Sequence, residues 1–270
     1  LTQPTSVGNF KDINQLAVGR GLAVTEDQVI VADQDRIMFW NTPNGITDLY
    51  SGKPADGTVG RPTENYGPCC MYLKTDEDGH LYTSFGTHNL PARIAVYNLP
   101  LTQGEIPFKE IAFPLNLLGG GTIQAGPSYS DGIPGFLPTP HSEFLWVSTS
   151  MYNRVVRIRD PLGVSPVVDY VIGQTNATNN QCNRGGNPVS GATSVTICNA
   201  GALALDRFGN FYLADHWLEA YGNNRTLIYL NGTLPTDNTS VIYNTIAPDV
   251  IVQNIAMWEP AFDSQNRMVV

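Results

Sequence analysis

The chain contains an internal repeat, and this repeat limits the possible folds more than any other feature of the sequence. Four segments share one order of features: a short apolar strand, a polar turn, a second strand ending in a small or acidic residue, a variable loop, and an arginine that opens a third apolar strand. The third segment departs from this order by a proline-rich lead-in. A unit of this size cannot bury both faces of its own sheet, so neighbouring units must stack. The four arginines are Arg36, Arg93, Arg154 and Arg225.

The repeat predicts an all-β protein. No segment has a convincing helical periodicity, and the 26 glycines and 19 prolines favour short strands and turns. Antiparallel four-stranded units repeated along the chain are the blades of a β-propeller, whereas a β-sandwich or a β-helix does not explain the recurring arginine. We therefore predict a single propeller domain over residues 1–270. Its units lie near residues 21–50, 71–113, 141–173 and 201–246, with a partial unit from 260.

The fourth segment resembles the NHL repeat. Residues 206–215 (DRFGNFYLAD) give an Asp-x-x-Gly turn and a strand that ends in Ala-Asp, and Asn224-Arg225 precedes the third strand. Residues 171–174 (VIGQ) are similar to the end of the outer strand in bacterial NHL propellers. The resemblance implies NHL-like blades. Since NHL propellers commonly have six blades and this sequence shows about four and a half units, it implies an incomplete ring or six blades with missing sequence.

The charge and hydropathy of the chain argue against a nucleic-acid partner and against a membrane span. The net charge is −9, and the basic residues are scattered singly rather than clustered. Because binding to a phosphate backbone needs clustered lysine and arginine, we predict no nucleic-acid partner. No apolar run reaches the ~18 residues that a membrane span requires, so we predict no membrane span. No charged-then-apolar leader opens the chain, which indicates a removed signal peptide or a piece of a longer protein.

The cysteines and sequons indicate an oxidising compartment. Cys182 and Cys198 lie at the two ends of a polar loop, and a disulfide closing ~15 residues would stabilise such a loop by roughly 3 kcal/mol. Cys69 and Cys70 are either a vicinal disulfide or two buried thiols. We predict an extracellular protein, secreted or at the cell surface, with a periplasmic location as the alternative. The candidate glycosylation sites are Asn176, Asn224, Asn231 and Asn238.

Strand alternation places the long loops on one side of the domain. In a four-stranded blade, the loop between the second and third strands and the loop into the next blade leave from the same side. We call this side the long-loop face, and we expect it to bind a protein or carbohydrate partner, because ordered long loops on a rigid scaffold carry most binding sites. Its segments are 52–68, 85–92, 110–140, 174–199 and 216–224.

Four side chains on this face are candidates for ligand binding. His88 and His216 lie in equivalent loops of different units, Trp217 follows His216, and Tyr152 lies near a strand end. The acidic segment 76–79 is interpreted as a hairpin turn, since it lacks the alternating ligands of a calcium loop. Because the arginine recurs in every unit, Asp33–Arg36 and Asp215–Arg225 are interpreted as structural pairs.

The motifs favour a binding or structural module over an enzyme. The sequence contains no nucleophile elbow, no P-loop and no dinucleotide-binding glycine motif, so we assign no catalytic residues and predict no cofactor. The alternative is a metal-dependent lyase or lactonase, because propeller enzymes that resemble this repeat gather His, Asp, Glu or Asn around an axial Ca or Zn ion. His88 and His216 would suit such a site, but the sequence fixes no third ligand.

Overall fold

The computed structural model describes residues 19–33, 36–50, 53–59, 72–87, 90–125, 133, 135–216, 222–243, 246–255, 261–263 and 265–269. Within these ranges the regular structure consists of strands and three short 3-10 turns, without an α-helix. No helix in the described part of the chain is long and apolar enough to cross a membrane. The all-β prediction is confirmed. The 3-10 turns span Ile46–Asp48, Ser150–Tyr152 and Cys182–Gly185.

The first two sheets are antiparallel meanders whose strands pair in chain order. Apolar and β-branched runs such as QVIVAD form the central strands, as expected for a buried pleated sheet. The first sheet contains β1 (Gly19–Val24), β2 (Gln28–Asp33), β3 (Arg36–Asn41) and β4 (Gly57–Val59). The second contains β5 (Leu73–Thr75), β6 (His80–Thr87), β7 (Leu90–Asn98) and β8 (Lys109–Ala112).

The third sheet begins earlier than the unit predicted near 141–173. Two short strands precede it, β9 (Leu115–Leu117) and β10 (Thr122–Ile123), and its four-stranded meander contains β11 (Gly135–Pro138), β12 (Phe144–Thr149), β13 (Arg154–Arg159) and β14 (Val167–Ile172). The first strand β11 therefore lies in the proline-rich lead-in. Strand β9 pairs in parallel with β14 and covers the outer edge of this sheet.

The fourth sheet ends later than the unit predicted near 201–246. It contains β15 (Leu203–Leu205), β16 (Phe211–Asp215) and β17 (Arg225–Tyr229), and it is completed by β19 (Val250–Gln253). The intervening strand β18 (Ile242–Tyr243) pairs in parallel with β14 of the third sheet instead. Two further strands, β20 (Ala261–Phe262) and β21 (Met268–Val269), pair with each other beyond it.

Contacts between the sheets give the arrangement of propeller blades. The first strands of successive sheets lie side by side, β1 beside β5, β5 beside β11, and β11 beside β15. Successive residues of β6 point to opposite faces of the second sheet. Leu81 packs in a hydrophobic cluster with side chains of the first sheet, and Tyr82 packs in a hydrophobic cluster with side chains of the third sheet. Between the third and fourth sheets, Trp146 stacks on Phe211 with ring centroids 4.6 Å apart. The fold is a β-propeller of four-stranded blades, as predicted.

The tight turn between β5 and β6 is held by the Asp76 carboxylate. Its Oδ1 accepts the backbone N–H groups of Asp78 (3.1 Å) and His80 (2.8 Å), and its Oδ2 lies 2.7 Å from Nδ1 of His80. The hydroxyl of Ser142, from the third sheet, also donates to Oδ2. Burial raises the pKa of Asp76, but these hydrogen bonds outweigh it and the pKa lies below its ordinary value. The carboxylate therefore fixes this turn and joins two blades.

Candidate functional site

A disulfide bond fixes the segment 174–199 of the long-loop face. Cys182 and Cys198 are bonded to each other, as the sequence predicts. The guanidinium of Arg184 connects the beginning and the end of this segment, because it donates to the carbonyl oxygens of Gly173 (3.2 Å) and Val195 (3.1 Å). The segment is thus an ordered part of the face. Cys69 and Cys70 lie outside the described residues, so their pairing stays a prediction.

The buried carboxylate of Asp215, at the end of β16, connects this segment to the fourth sheet. Its Oδ1 accepts the backbone N–H of Cys198 (2.7 Å), and its Oδ2 accepts Asn223 Nδ2 (2.7 Å) and Arg225 Nε (2.8 Å). Asn223 and Asn183 exchange two side-chain hydrogen bonds of 2.8 Å. Burial raises the pKa of Asp215, whereas the positive charge of Arg225 and the hydrogen bonds oppose that shift. The pair is structural, as interpreted from the repeat.

His216 is buried next to this network without a hydrogen-bond partner. Its side chain is 3% exposed, and within the described ranges neither ring nitrogen has a partner. The backbone of Gly222 lies close to that of His216. A Cβ atom added to Gly222 would be only 2.8 Å from the Cα of His216, so this position has no room for a side chain. The other two described histidines do have partners: His80 contacts Asp76, and His141 contacts Asp78 at 3.2 Å.

Tyr152 lies on the same face, in the link between β12 and β13. Its ring is half-buried, and its centroid is 4.6 Å from Cζ of Arg154. The next residue, Asn153, has a φ of 49° and connects this link to the disulfide-bonded segment. Its carbonyl accepts Gln174 Nε2 (3.0 Å), and its Oδ1 accepts the backbone N–H of Asn199 (2.6 Å). Tyr152 and the segment 174–199 therefore belong to one connected surface.

Two of the four predicted face residues are placed by the structure. Tyr152 and His216 are joined through Asn153, Asn199, Cys198 and Asp215, whereas His88 and Trp217 lie outside the described residues. The sequence analysis did not single out Asn153, Asn183 or Asn199. The signal that could have identified them is backbone geometry, because asparagine accepts positive φ more readily than most residues. The asparagines with positive φ on this face are Asn153, Asn183, Asn199 and Asn224.

The four sequon asparagines differ in exposure. Asn176 and Asn231 are exposed, and Asn224 is half-buried. Asn238 is 8% exposed, and its Nδ2 donates to the carbonyl of Asp169 at 3.1 Å. That nitrogen would carry the glycan, so a glycan on Asn238 would replace this hydrogen bond. Glycosylation at each of the four asparagines stays a prediction.

Within the described ranges, no group of three or more His, Cys, Asp or Glu side chains is placed to hold a metal ion. His216 is the described side chain of this face best suited to donate to a metal, because a neutral imidazole nitrogen without a partner is a good ligand. A complete ligand set would need residues from outside the described ranges.

Comparison with known proteins gives weak structural likenesses. A catalytically inactive virginiamycin B lyase from Staphylococcus aureus, solved with quinupristin, matches with a TM-score of 0.47 and 14% sequence identity, over 83% of this chain and 55% of that chain. A putative 6-phosphogluconolactonase from Bacteroides uniformis matches with a TM-score of 0.48 and 10% identity, over 91% and 57%. A protein of unknown function from Bacteroides caccae matches with a TM-score of 0.47 and 10% identity, over 87% and 60%.

These likenesses carry no information about activity, because the scores and identities are low. The chain spans between 55% and 60% of the length of these three proteins. No family profile and no curated protein matches the chain. Membership of the NHL family, and the extent of the domain over 1–270, therefore stay predictions.

Proposed function

We propose that the protein is a non-catalytic ligand-binding β-propeller that works outside the cytoplasm, secreted, at the cell surface or in the periplasm. The long-loop face is its binding surface. The observation that carries this proposal is the buried His216 ring, which lacks a partner within the described ranges. The Cys182–Cys198 disulfide supports an oxidising compartment.

The His216 ring supports ligand binding on energetic grounds. A neutral imidazole carries one N–H donor and one acceptor nitrogen. Leaving a buried polar group unpaired costs about 1–3 kcal/mol, so proteins rarely do so outside functional sites. A bound ligand would supply the missing partner. The Asp215 network and the disulfide hold the surrounding loops in place, which reduces the entropy lost on binding.

The exposed groups of this face suit a carbohydrate or protein partner. The half-buried Tyr152 ring presents aromatic surface, and the side chains of Asn176 and Thr178 are exposed on the neighbouring loop. Aromatic rings combined with amide and hydroxyl groups are a common composition of recognition surfaces. We therefore propose a carbohydrate or protein ligand that contacts Tyr152 and reaches His216.

A second candidate function is a metal-dependent enzyme of the lyase or lactonase class. The ring nitrogens of His216, which have no hydrogen-bond partner among the described residues, favour it, since imidazole is a common protein ligand for zinc. A bound Zn ion would act as a Lewis acid, and His216 would hold it through one ring nitrogen, whereas a Ca ion would need oxygen ligands.

A printed glycan array tests the proposed binding. We expect the wild-type protein to bind a defined subset of glycans, and His216→Ala to lower the array signal by at least tenfold, because the ring would lose its hydrogen bonds to the ligand. His141→Ala is the matched control, since His141 is 66% exposed and contacts the 76–79 turn on the opposite side. The proposal would be contradicted by a signal that falls in His141→Ala and not in His216→Ala.

A calorimetric titration with Zn²⁺ and Ca²⁺ separates the two candidates. The protein is first treated with a chelator. Metal binding that His216→Ala abolishes and His141→Ala retains would favour the enzyme, whereas glycan binding that persists without metal favours the binding module.

A further inference from the structure

Arg154 differs from its counterparts in the neighbouring sheets. In the first sheet Asp33 lies directly opposite Arg36, and the two side chains approach to 3.0 Å. In the fourth sheet Asp215 lies opposite Arg225 with a separation of 2.8 Å. The corresponding residue of the third sheet, opposite Arg154, is Thr149.

Thr149 cannot replace the missing carboxylate. Its hydroxyl is neutral, and it donates to the backbone carbonyl of Arg154 at 3.2 Å. In the second sheet the opposite residue is Phe85, but there Arg93 pairs with Glu110 at 3.3 Å. Each of the other three arginines therefore contacts a carboxylate. Within the described ranges, Arg154 contacts none.

The positive charge of Arg154 is fully buried. The residue is 0% exposed, and its Nε has no hydrogen-bond partner within the part of the chain that the structure describes. Its Nη1 donates to the carbonyl of Ala177 (2.7 Å), and its Nη2 donates to the carbonyl of Gln124. Burial lowers the pKa of Arg154 to about 10. A buried cation without a counter-charge is strongly unfavourable, so this position favours binding of an anion.

The guanidinium lies directly beneath the long-loop face. Gln124 is exposed, and Ala177 belongs to the disulfide-bonded segment. The half-buried Tyr152 ring covers the guanidinium at 4.6 Å. A ligand that reaches Nε–H would therefore have to displace the Tyr152 ring, since Arg154 is 0% exposed.

We propose that Arg154 binds a carboxylate group of the ligand at the long-loop face. The carboxylate would accept a charge-assisted hydrogen bond from Nε, as the Asp33 and Asp215 side chains do from their own arginines. We expect a carboxylate rather than another anion, because the corresponding arginines of the other three sheets all pair with carboxylates. The inference names the ligand class for the binding surface proposed above and rests on that proposal.

A titration with acetate tests the site without knowledge of the natural ligand. Binding of ¹³C-carboxyl acetate is followed by NMR, with sodium chloride at equal ionic strength as reference. We expect a dissociation constant on the order of 1 mM for the wild-type protein. Thr149→Asp should weaken acetate binding at least tenfold, because it gives Arg154 the carboxylate that Arg36 and Arg225 already have. Thr149→Val, which has the same size and no charge, should bind acetate like the wild type.

Two results would overturn the proposal. The first is a wild-type protein that does not distinguish acetate from chloride. The second is a Thr149→Asp variant that binds acetate as well as Thr149→Val does. The acetate titration reports on Arg154 without any glycan, so this test and the glycan-array test can fail separately.

Discussion

Replacing Asp169 with alanine is expected to lower the free energy of unfolding by about 3–5 kcal/mol. Asp169 is fully buried and accepts two hydrogen bonds from Arg157, at 2.8 and 2.9 Å, and two from Arg159, at 3.1 and 2.8 Å. Arg157 is only 2% exposed. The variant would therefore leave a positive charge buried without a partner. Urea denaturation at neutral pH measures the difference.

The surroundings of Arg157 explain why relaxation cannot remove this penalty. Its guanidinium carbon lies 4.3 Å from the ring centroid of Phe144 and 5.4 Å from that of Trp146, and this packing excludes water. The matched control is Asp263→Ala, which breaks a pair with Arg267, whose side chain is 73% exposed. We expect little change in the control, because solvent screens exposed pairs. Equal losses in the two variants would show that burial does not set the strength of these pairs.

Removing the disulfide by the double substitution Cys182→Ser and Cys198→Ser is expected to lower the free energy of unfolding by roughly 3 kcal/mol. This is the chain-entropy value for a closed loop of ~15 residues. Reduced wild-type protein should show a similar loss in the same urea titration. Because the backbone N–H of Cys198 donates to Asp215, we also expect loosening to reach the end of β16. A variant as stable as the wild type would contradict this account of the segment.

The sequence predicted the repeated parts of the fold well, because they depend on local patterns. The arginines opening β3, β13 and β17 are placed at equivalent positions, and Asp33 and Asp215 pair with their arginines as interpreted. Arg93 was wrongly predicted to open its strand, because β6 and β7 extend through most of the predicted loop 85–92 and β7 begins at Leu90. Strand β11 was missed, since it ends in Pro138 and prolines usually mark strand edges or turns. Strand β18 could not be predicted, because its partner β14 belongs to another sheet and the pairing is non-local.

The candidate site was predicted only in part, for reasons that differ between residues. The disulfide was predicted because Cys182 and Cys198 lie at the two ends of one polar loop, and the structure confirms it. His216 reads as an exposed loop residue, and its burial follows from the close approach of Gly222, which the sequence pattern does not encode. Arg154 looks like the other repeated arginines. Only the cross-strand register shows that Thr149 stands opposite it, where the first and fourth sheets have an aspartate.

Hydrogen–deuterium exchange with and without bound glycan tests whether ligands bind the long-loop face. The probe is the glycan with the strongest signal on the array, added at saturation to the full chain. We expect slower exchange in peptides covering 174–199 and 222–224, with no change in the tight turns 76–79 and 206–209. Protection of those turns, with unchanged exchange in 174–199, would show that ligands do not bind this face.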